Sequence, residues 1–257
     1  MKKFLKLSLM AVVLTMTMTS CISVNLGNGD KDSTPTQVPD AGKLTSMEPF
    51  DKVEIAGAFK VTYEQGDQYT VNVEASEQAM KEMTIYVKDN ELRIRRAVNK
   101  PTVKFETVRI HVSSPVIDGI EIAGSGAFTA SRPIKVTALR SEIAGSGKIL
   151  LVAVDGQKAN MEIAGSGDIE IGQLTIQSAT ADIAGSGDIN LGSMTCESFT
   201  VDIAGSGNVN CQNIQADKAR VDIAGSGDVN LKGSVKNLTK NIAGSGKVGY
   251  TPSGTNN

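Results

Sequence analysis

The sequence predicts an all-β chain. Its main part reads as a right-handed parallel β-helix of about 20 residues per coil, preceded by a less regular β region. Three observations carry this. First, the string Ile-Ala-Gly-Ser-Gly begins at Ile122, Ile143, Ile163, Ile183, Ile203, Ile223 and Ile242, with spacings of 21, 20, 20, 20, 20 and 19 residues. A fixed period of this length is the mark of a repeat architecture. Second, apolar and polar residues alternate between the strings, as half-buried strands require. Third, the repeats are rich in Ile, Val, Thr and Gly rather than in helix formers. Right-handed winding is the rule for parallel crossovers.

The elements follow in chain order. Lys2, Lys3 and Lys6 precede an apolar run from Leu7 to Met18. Residues 1–20 read as a signal peptide, because the run is too short to span a bilayer. Met18-Thr19-Ser20-Cys21 resembles the lipobox of bacterial lipoproteins. That resemblance implies cleavage before Cys21 and lipid on its sulfur and new amine. Cleavage removes three lysines and no acid, so the mature chain is more acidic than the formal net charge of −2. Residues 21–43 are polar, with Pro35 and Pro39, and read as a lipidated tether.

Residues 44–250 read as a single β domain. In its irregular part, 44–118, Val53-Glu54-Ile55-Ala56-Gly57 echoes the first half of the repeat. Val61/Tyr63, Val71/Val73, Ile85/Val87, Leu92/Ile94 and Val108/Ile110/Val112 alternate as strands. Ser76 to Met83 reads as one short helix capped by Ser76. This part is expected to form irregular strands or degenerate coils and to cap one end of the solenoid. In the regular part, 119–250, the repeat from Leu174 to Leu191 reads as three short strands with one inward face. Residues 251–257 form a tail.

The Gly-Ser-Gly corner has a structural explanation, since glycine allows positive φ and an identical tight corner in each coil. Stacked Ser125, Ser146, Ser166, Ser186, Ser206, Ser226 and Ser245 could form a hydroxyl ladder. An anion-binding nest of backbone amides is the alternative, disfavoured by the acids beside it.

Those acids form a column just before each repeat isoleucine: Glu121, Glu142, Glu162, Asp182, Asp202 and Asp222, then Asn241. Like charges on neighbouring strands oppose a sheet, so a compensating feature is expected. One candidate is Ca²⁺ held between coils by Glu142, Glu162, Asp182, Asp202 and Asp222. The other is a solvated acidic face neutralised by Lys, Arg and diffuse counterions. No other cofactor is expected. A second column holds Lys148, Asp168, Asp188, Asn208, Asp228 and Lys247. Cys196 and Cys211 occupy inward positions and read either as buried thiols or as a disulfide. Arg93, Arg95 and Arg96 form a basic patch on one strand.

Composition excludes several classes. His111 is the single histidine, which leaves no His-rich zinc site and disfavours a Ser-His-Asp triad. Tryptophan is absent, so a stacking platform for sugars or single strands is poor. The acidic balance gives no footprint for nucleic acid. The corners are short and uniform, and the acids form a ladder rather than a catalytic cluster.

The opening Phe50-Asp51-Lys52-Val53-Glu54-Ile55, the Gly57-Ala58-Phe59 step and the Gly-Ser-Gly-[Asp/Asn/Lys]-[Ile/Val] repeats resemble the head GIN domain family of auto-transporter-adhesin-like proteins. The resemblance covers residues 45–250. It implies a β-helical fold and membership among lipoproteins of Gram-negative envelopes, and it transfers no catalytic residue. The functional expectation is a lipid-anchored cell-envelope protein, an outer-membrane lipoprotein facing either side, with an adhesin-like binding or structural role and no catalysis. Its partners would be the membrane, through the lipid, and a surface glycan or protein. Two alternatives stay open: a periplasmic scaffold or envelope-stress component that self-associates through open β-helix ends, and a polysaccharide-active β-helix enzyme.

Overall fold

The computed structural model describes residues 42–97 and 108–253. The expected signal peptide, Cys21 and nearly all of the tether lie outside the described residues, as does most of the tail.

The strands wind into a parallel solenoid whose first face is a single ladder. It runs through β2 (Lys52–Ala56), β8 (Gly119–Gly124), β11 (Ala138–Gly145), β13 (Lys158–Gly165) and β15 (Ser178–Gly185). It continues through the second halves of β16 (Asp188–Gly205), β17 (Asn208–Gly225) and β18 (Asp228–Gly244). The register stacks Ile55, Ile122, Ile143, Ile163, Ile183, Ile203, Ile223 and Ile242 in one column. All of these except Ile242 are buried. Each adds its apolar surface to a continuous core, at roughly 1.5–3 kcal/mol per fully buried aliphatic side chain.

The second face stacks β3 (Lys60–Gln65), β9 (Ala127–Ala130), β12 (Lys148–Asp155), β14 (Asp168–Thr175), the first halves of β16 to β18, and β19 (Lys247–Pro252). The expected three separate strands per coil become fewer and longer. β16 alone runs for 18 residues, because the strand ends only at the Gly-Ser-Gly corner and its other corners cost the ladder a single residue each. At the next corner one residue drops out of the ladder: Ile171 pairs with Leu191, then Gln173 with Ser193, so Gly172 and Gly192 are skipped.

The Gly-Ser-Gly corner is explained by backbone packing. Its first glycine has φ between +123° and +140° from Gly124 to Gly244, a region that other residues seldom enter. A Cβ at Gly185 would lie 2.2 Å from the carbonyl oxygen of Gly165. A Cβ on the second glycine, Gly187, would lie 2.3 Å from the oxygen of Gly167. Ser146, Ser166, Ser186, Ser206, Ser226 and Ser245 each donate their backbone N–H to the first glycine of the preceding coil at 2.8–2.9 Å. These amides are spent within the stack, so the corner is not an anion nest.

The uneven spacings are absorbed locally. The 21-residue interval carries its extra residue in the connection from β9 through β10 (Ile134–Lys135), around Pro133. The 19-residue interval appears as a register shift after Cys211, where Gly233 pairs with Ile214 at φ +134°.

Of the two forms expected for residues 44–118, the structure shows irregular strands, and they cap one end of the solenoid. Lys52–Gln65 is a regular coil in register with the repeats. The following segment folds back beneath it as a cap. β5 (Met83–Lys88) and β6 (Glu91–Arg96) form a hairpin through Asp89 and Asn90, both at positive φ, and β6 pairs with β2. On the second face β7 (Arg109–Ser114) pairs with β3, β4 (Thr70–Glu74) runs antiparallel to β7, and β1 (Leu44–Ser46) antiparallel to β4. Between β4 and β5 lies helix α1, Glu77–Lys81, ending two residues before the expected Met83, with the Ser76 hydroxyl accepting from the Ala79 amide. Phe50, Phe59 and Phe128 fill the capped end, where Tyr63 stacks on Phe128 at 5.6 Å.

A candidate binding groove and the charged columns

The outward residues of the second face build a groove. Its middle is apolar, because the alternation fails in Lys148-Ile149-Leu150-Leu151-Val152. Ile149 and Leu151 point to the core, and Leu150 and Val152 stand outward, 37% and 45% exposed. One and two coils on, the Val152 position is taken by Gly172 and Gly192. A Cβ at either would meet a carbonyl oxygen of the preceding coil, at 2.6 and 2.4 Å, so bare backbone lines this part of a trough of about 510 Å³ walled by Glu170, Asn190, Asn210 and Gln212. It meets a second hollow of about 330 Å³ at Ser131, bounded by Leu44, Thr62, Glu64, His111 and Arg132. Three of the five exposed large apolar side chains among the described residues, Leu44, Leu150 and Val152, lie along these two hollows.

The groove walls are fixed by ladders of side-chain bonds. Asn210 Nδ2 donates to Asn190 Oδ1 at 3.0 Å, and Asn230 Nδ2 to Asn210 Oδ1 at 3.1 Å. Lys148 Nζ donates to Glu170 at 2.6 Å. Near the cap, Thr62 Oγ1 lies 2.5 Å from His111 Nδ1, and Arg132 pairs with Glu64. An apolar floor flanked by fixed amides and hydroxyls suits an extended ligand with one apolar face. The composition-based reading did not find this groove. Its signals were present: the broken alternation at Leu150 and Val152, and the aligned glycines at 172 and 192.

The acidic column stands on the outer surface of the first face, in register from Glu121 to Asn241. Three of its carboxylates are paired with arginine. Arg140 reaches both Glu142 and Glu162, Arg220 bonds Asp222, and Asn241 Nδ2 donates to Asp222 at 2.7 Å. In the middle, the column that supplies Arg140 and Arg220 holds Thr180 and Thr200 instead. Burial, Asp202 and Glu162 push the Asp182 carboxyl up to about 6. Burial and Asp222 raise Asp202, and burial with Glu54 and Glu91 raises Glu121. Among the described residues, no three carboxylate, thiol or imidazole groups converge as a metal-holding set. The Ca²⁺ candidates Glu142, Glu162, Asp182, Asp202 and Asp222 are thus stacked singly rather than gathered.

The second column proves to be a structural seam. Asp188 Oδ1 accepts from the amide and side chain of Asn208, Asn208 Oδ1 from the Asp228 amide, and Asp228 Oδ1 from the Lys247 amide, at 2.9–3.1 Å. The Arg patch is likewise engaged: Arg93 with Glu54, Asp89 and Glu91, Arg95 with Glu54, and Arg96 with Glu82. Cys196 and Cys211 are buried free thiols, both pushed by burial up to about 11.

The sequence profile of the family described as "Putative auto-transporter adhesin, head GIN domain" matches residues 49–212 and 192–251. Among curated proteins, none matches the chain. Solved structures share the fold. A "putative adhesin" from Bacteroides fragilis has 21% identity and a TM-score of 0.72, over 81% of this chain and 95% of its own. A "putative lipid binding protein" from Parabacteroides distasonis has 24% identity and a TM-score of 0.68, over 81% and 95%. A "putative adhesin" from Parabacteroides merdae has 20% identity and a TM-score of 0.70, over 81% and 94%.

Proposed function

Because the chain belongs to the head GIN domain family of auto-transporter-adhesin-like proteins, we propose that it is a lipid-anchored cell-envelope binding protein without catalysis. Its ligand, a surface glycan or protein segment, would lie along the second-face groove. The observation that carries this reading is the groove itself, where exposed apolar side chains gather between bonded amide and hydroxyl walls instead of scattering over the rod. Cys21 would carry the anchor, and the polar residues after it would hold the rod away from the bilayer. The lone histidine is bonded to Thr62, and the acids stand in columns, so the groove offers binding groups rather than a proton-transfer pair.

The test is a screen of the purified domain against arrayed glycans and matrix proteins, repeated with Leu150→Glu/Val152→Glu. Both side chains are already exposed, so the variant should melt like the parent. Loss of the captured ligand in the variant supports the groove, and unchanged capture overturns it. An acyl-chain ligand is a second reading, favoured by the apolar floor and by the name of the Parabacteroides distasonis relative. Co-sedimentation with neutral phosphatidylcholine vesicles, lost in the same variant, would select it.

A further inference from the structure

The two ends of the solenoid are built differently. The N-terminal end is closed by the β5–β6 hairpin, α1 and the antiparallel strands of the second face. At the C-terminal end, residues 237–244 of β18 form the last rung of the first face, and among the described residues no strand pairs with their outer edge. The inward positions of this rung are uncovered. Ile242 is 43% exposed, whereas Ile223, its neighbour one coil back, is 3% exposed. Leu238 stacks beyond buried Ala219 and is itself only half-buried. On the second face Tyr250 folds across its own side of the end, its hydroxyl accepting from the Val235 amide at 3.0 Å and donating to the Gly233 carbonyl. That leaves the first-face edge as the open one.

Charge says what fits there. In the core column of Val201 and Val221, the last rung places Lys240. No Asp or Glu follows Asp228, while Lys232, Lys236, Lys240 and Lys247 do. Of these four lysines, only Lys236 has an ion pair among the described residues, to Asp217. A lysine at an inward register position on an edge opposes stacking of like copies, and two such ends brought together would place like charge on like charge. The same lysine favours an acid from a different strand.

We propose that the C-terminal rung is a docking edge for an extended acidic segment of a partner protein, added as one more parallel strand. Its inward residues would follow the pattern apolar-x-acid-x-apolar, with the acid beside Lys240 and the apolar residues over Leu238 and Ile242. Backbone bonds to the open edge give affinity, and the alternate side chains give selectivity. This places the partner at the rod's tip, independent of the groove.

The experiment uses two fluorescent capped peptides, Thr-Val-Thr-Glu-Thr-Val-Thr and its Glu→Lys counterpart, titrated with the purified domain by anisotropy. The Glu peptide should bind about tenfold or more tightly than the Lys peptide, and Lys240→Glu should invert the order. Lys240→Gln should bind both alike, and circular dichroism should show all three proteins folded. Two outcomes overturn the proposal: equal or absent binding of the two peptides to the parent protein, or sedimentation of that protein as an end-to-end dimer, which would make a second copy the occupant.

Discussion

Asp182 sits where the acidic column has no cation beside it, flanked in register by Glu162 and Asp202 and laterally by Thr180 and Thr200. Its folded-state value of about 6 lies above the ordinary 3.8, first through burial and then through its two acidic neighbours. A carboxyl raised on folding binds its proton more tightly in the native state. Its contribution is therefore fully present below about pH 4 and is lost as pH rises through about 6. Asp182→Asn should raise the unfolding free energy at pH 7, and with it the melting temperature, by on the order of 1 kcal/mol after discounting for partial exposure. That gain should fade toward pH 4, and a gain independent of pH would show that repulsion is not its cause. Calcium gives the companion measurement. Because a Ca²⁺ site gathers six to eight oxygens and these carboxylates stack singly, millimolar Ca²⁺ should stabilise no more than NaCl of equal ionic strength. A clear excess, reversed by EDTA, would make the column a metal site.

The corner shows how an element is specified by what it lacks. The first glycine of each corner combines positive φ with a carbonyl from the previous coil where a Cβ would sit. The serine between the glycines is exposed and contributes its backbone amide. Gly185→Ala should therefore cost at least about 1–3 kcal/mol in urea unfolding, and Ser186→Ala should stay within about 0.5 kcal/mol of the parent. Equal losses would mean that the serine hydroxyl, not the glycine backbone, holds the corner. This corner was legible in the sequence because the same steric demand recurs in every coil and prints itself as a period. So was the Ser76 cap, a local bond between a hydroxyl and an amide three residues on. That residues 44–118 cap one end was legible, but the antiparallel direction of the cap's strands was not. Val71/Val73 and Leu92/Ile94 alternate as a solenoid rung would, and alternation reports which side is buried, not the direction of the neighbouring strand. The groove escaped for a related reason. Leu150 and Val152 belong to the unbroken apolar run 149–154, in which only the register tells the outward side chains from the inward ones.

At the scale of the molecule, a solenoid rung touches only its neighbours, so stability passes along the axis and is weakest where a neighbour is missing. The capped end gives β2 a partner on each side, β6 and β8, and buries Phe50, Phe59 and Phe128. The other end gives the last rung of β18 a partner on one side only and leaves Ile242 and Lys240 in solvent. Local opening should therefore be polarised. Native-state hydrogen exchange should find amides of 237–252 opening at a small fraction of the global free energy. Those of β13 to β16 should open only with global unfolding, and those of β2 should be protected like the centre rather than like an end. Protection falling equally toward both ends would mean that the hairpin and helix do not act as a cap. A uniform profile would mean that the rungs unfold as one unit, and nearest-neighbour stacking would then not govern this rod. Docking an acidic strand on the last rung should raise protection at 237–244 first, because that binding supplies the missing neighbour.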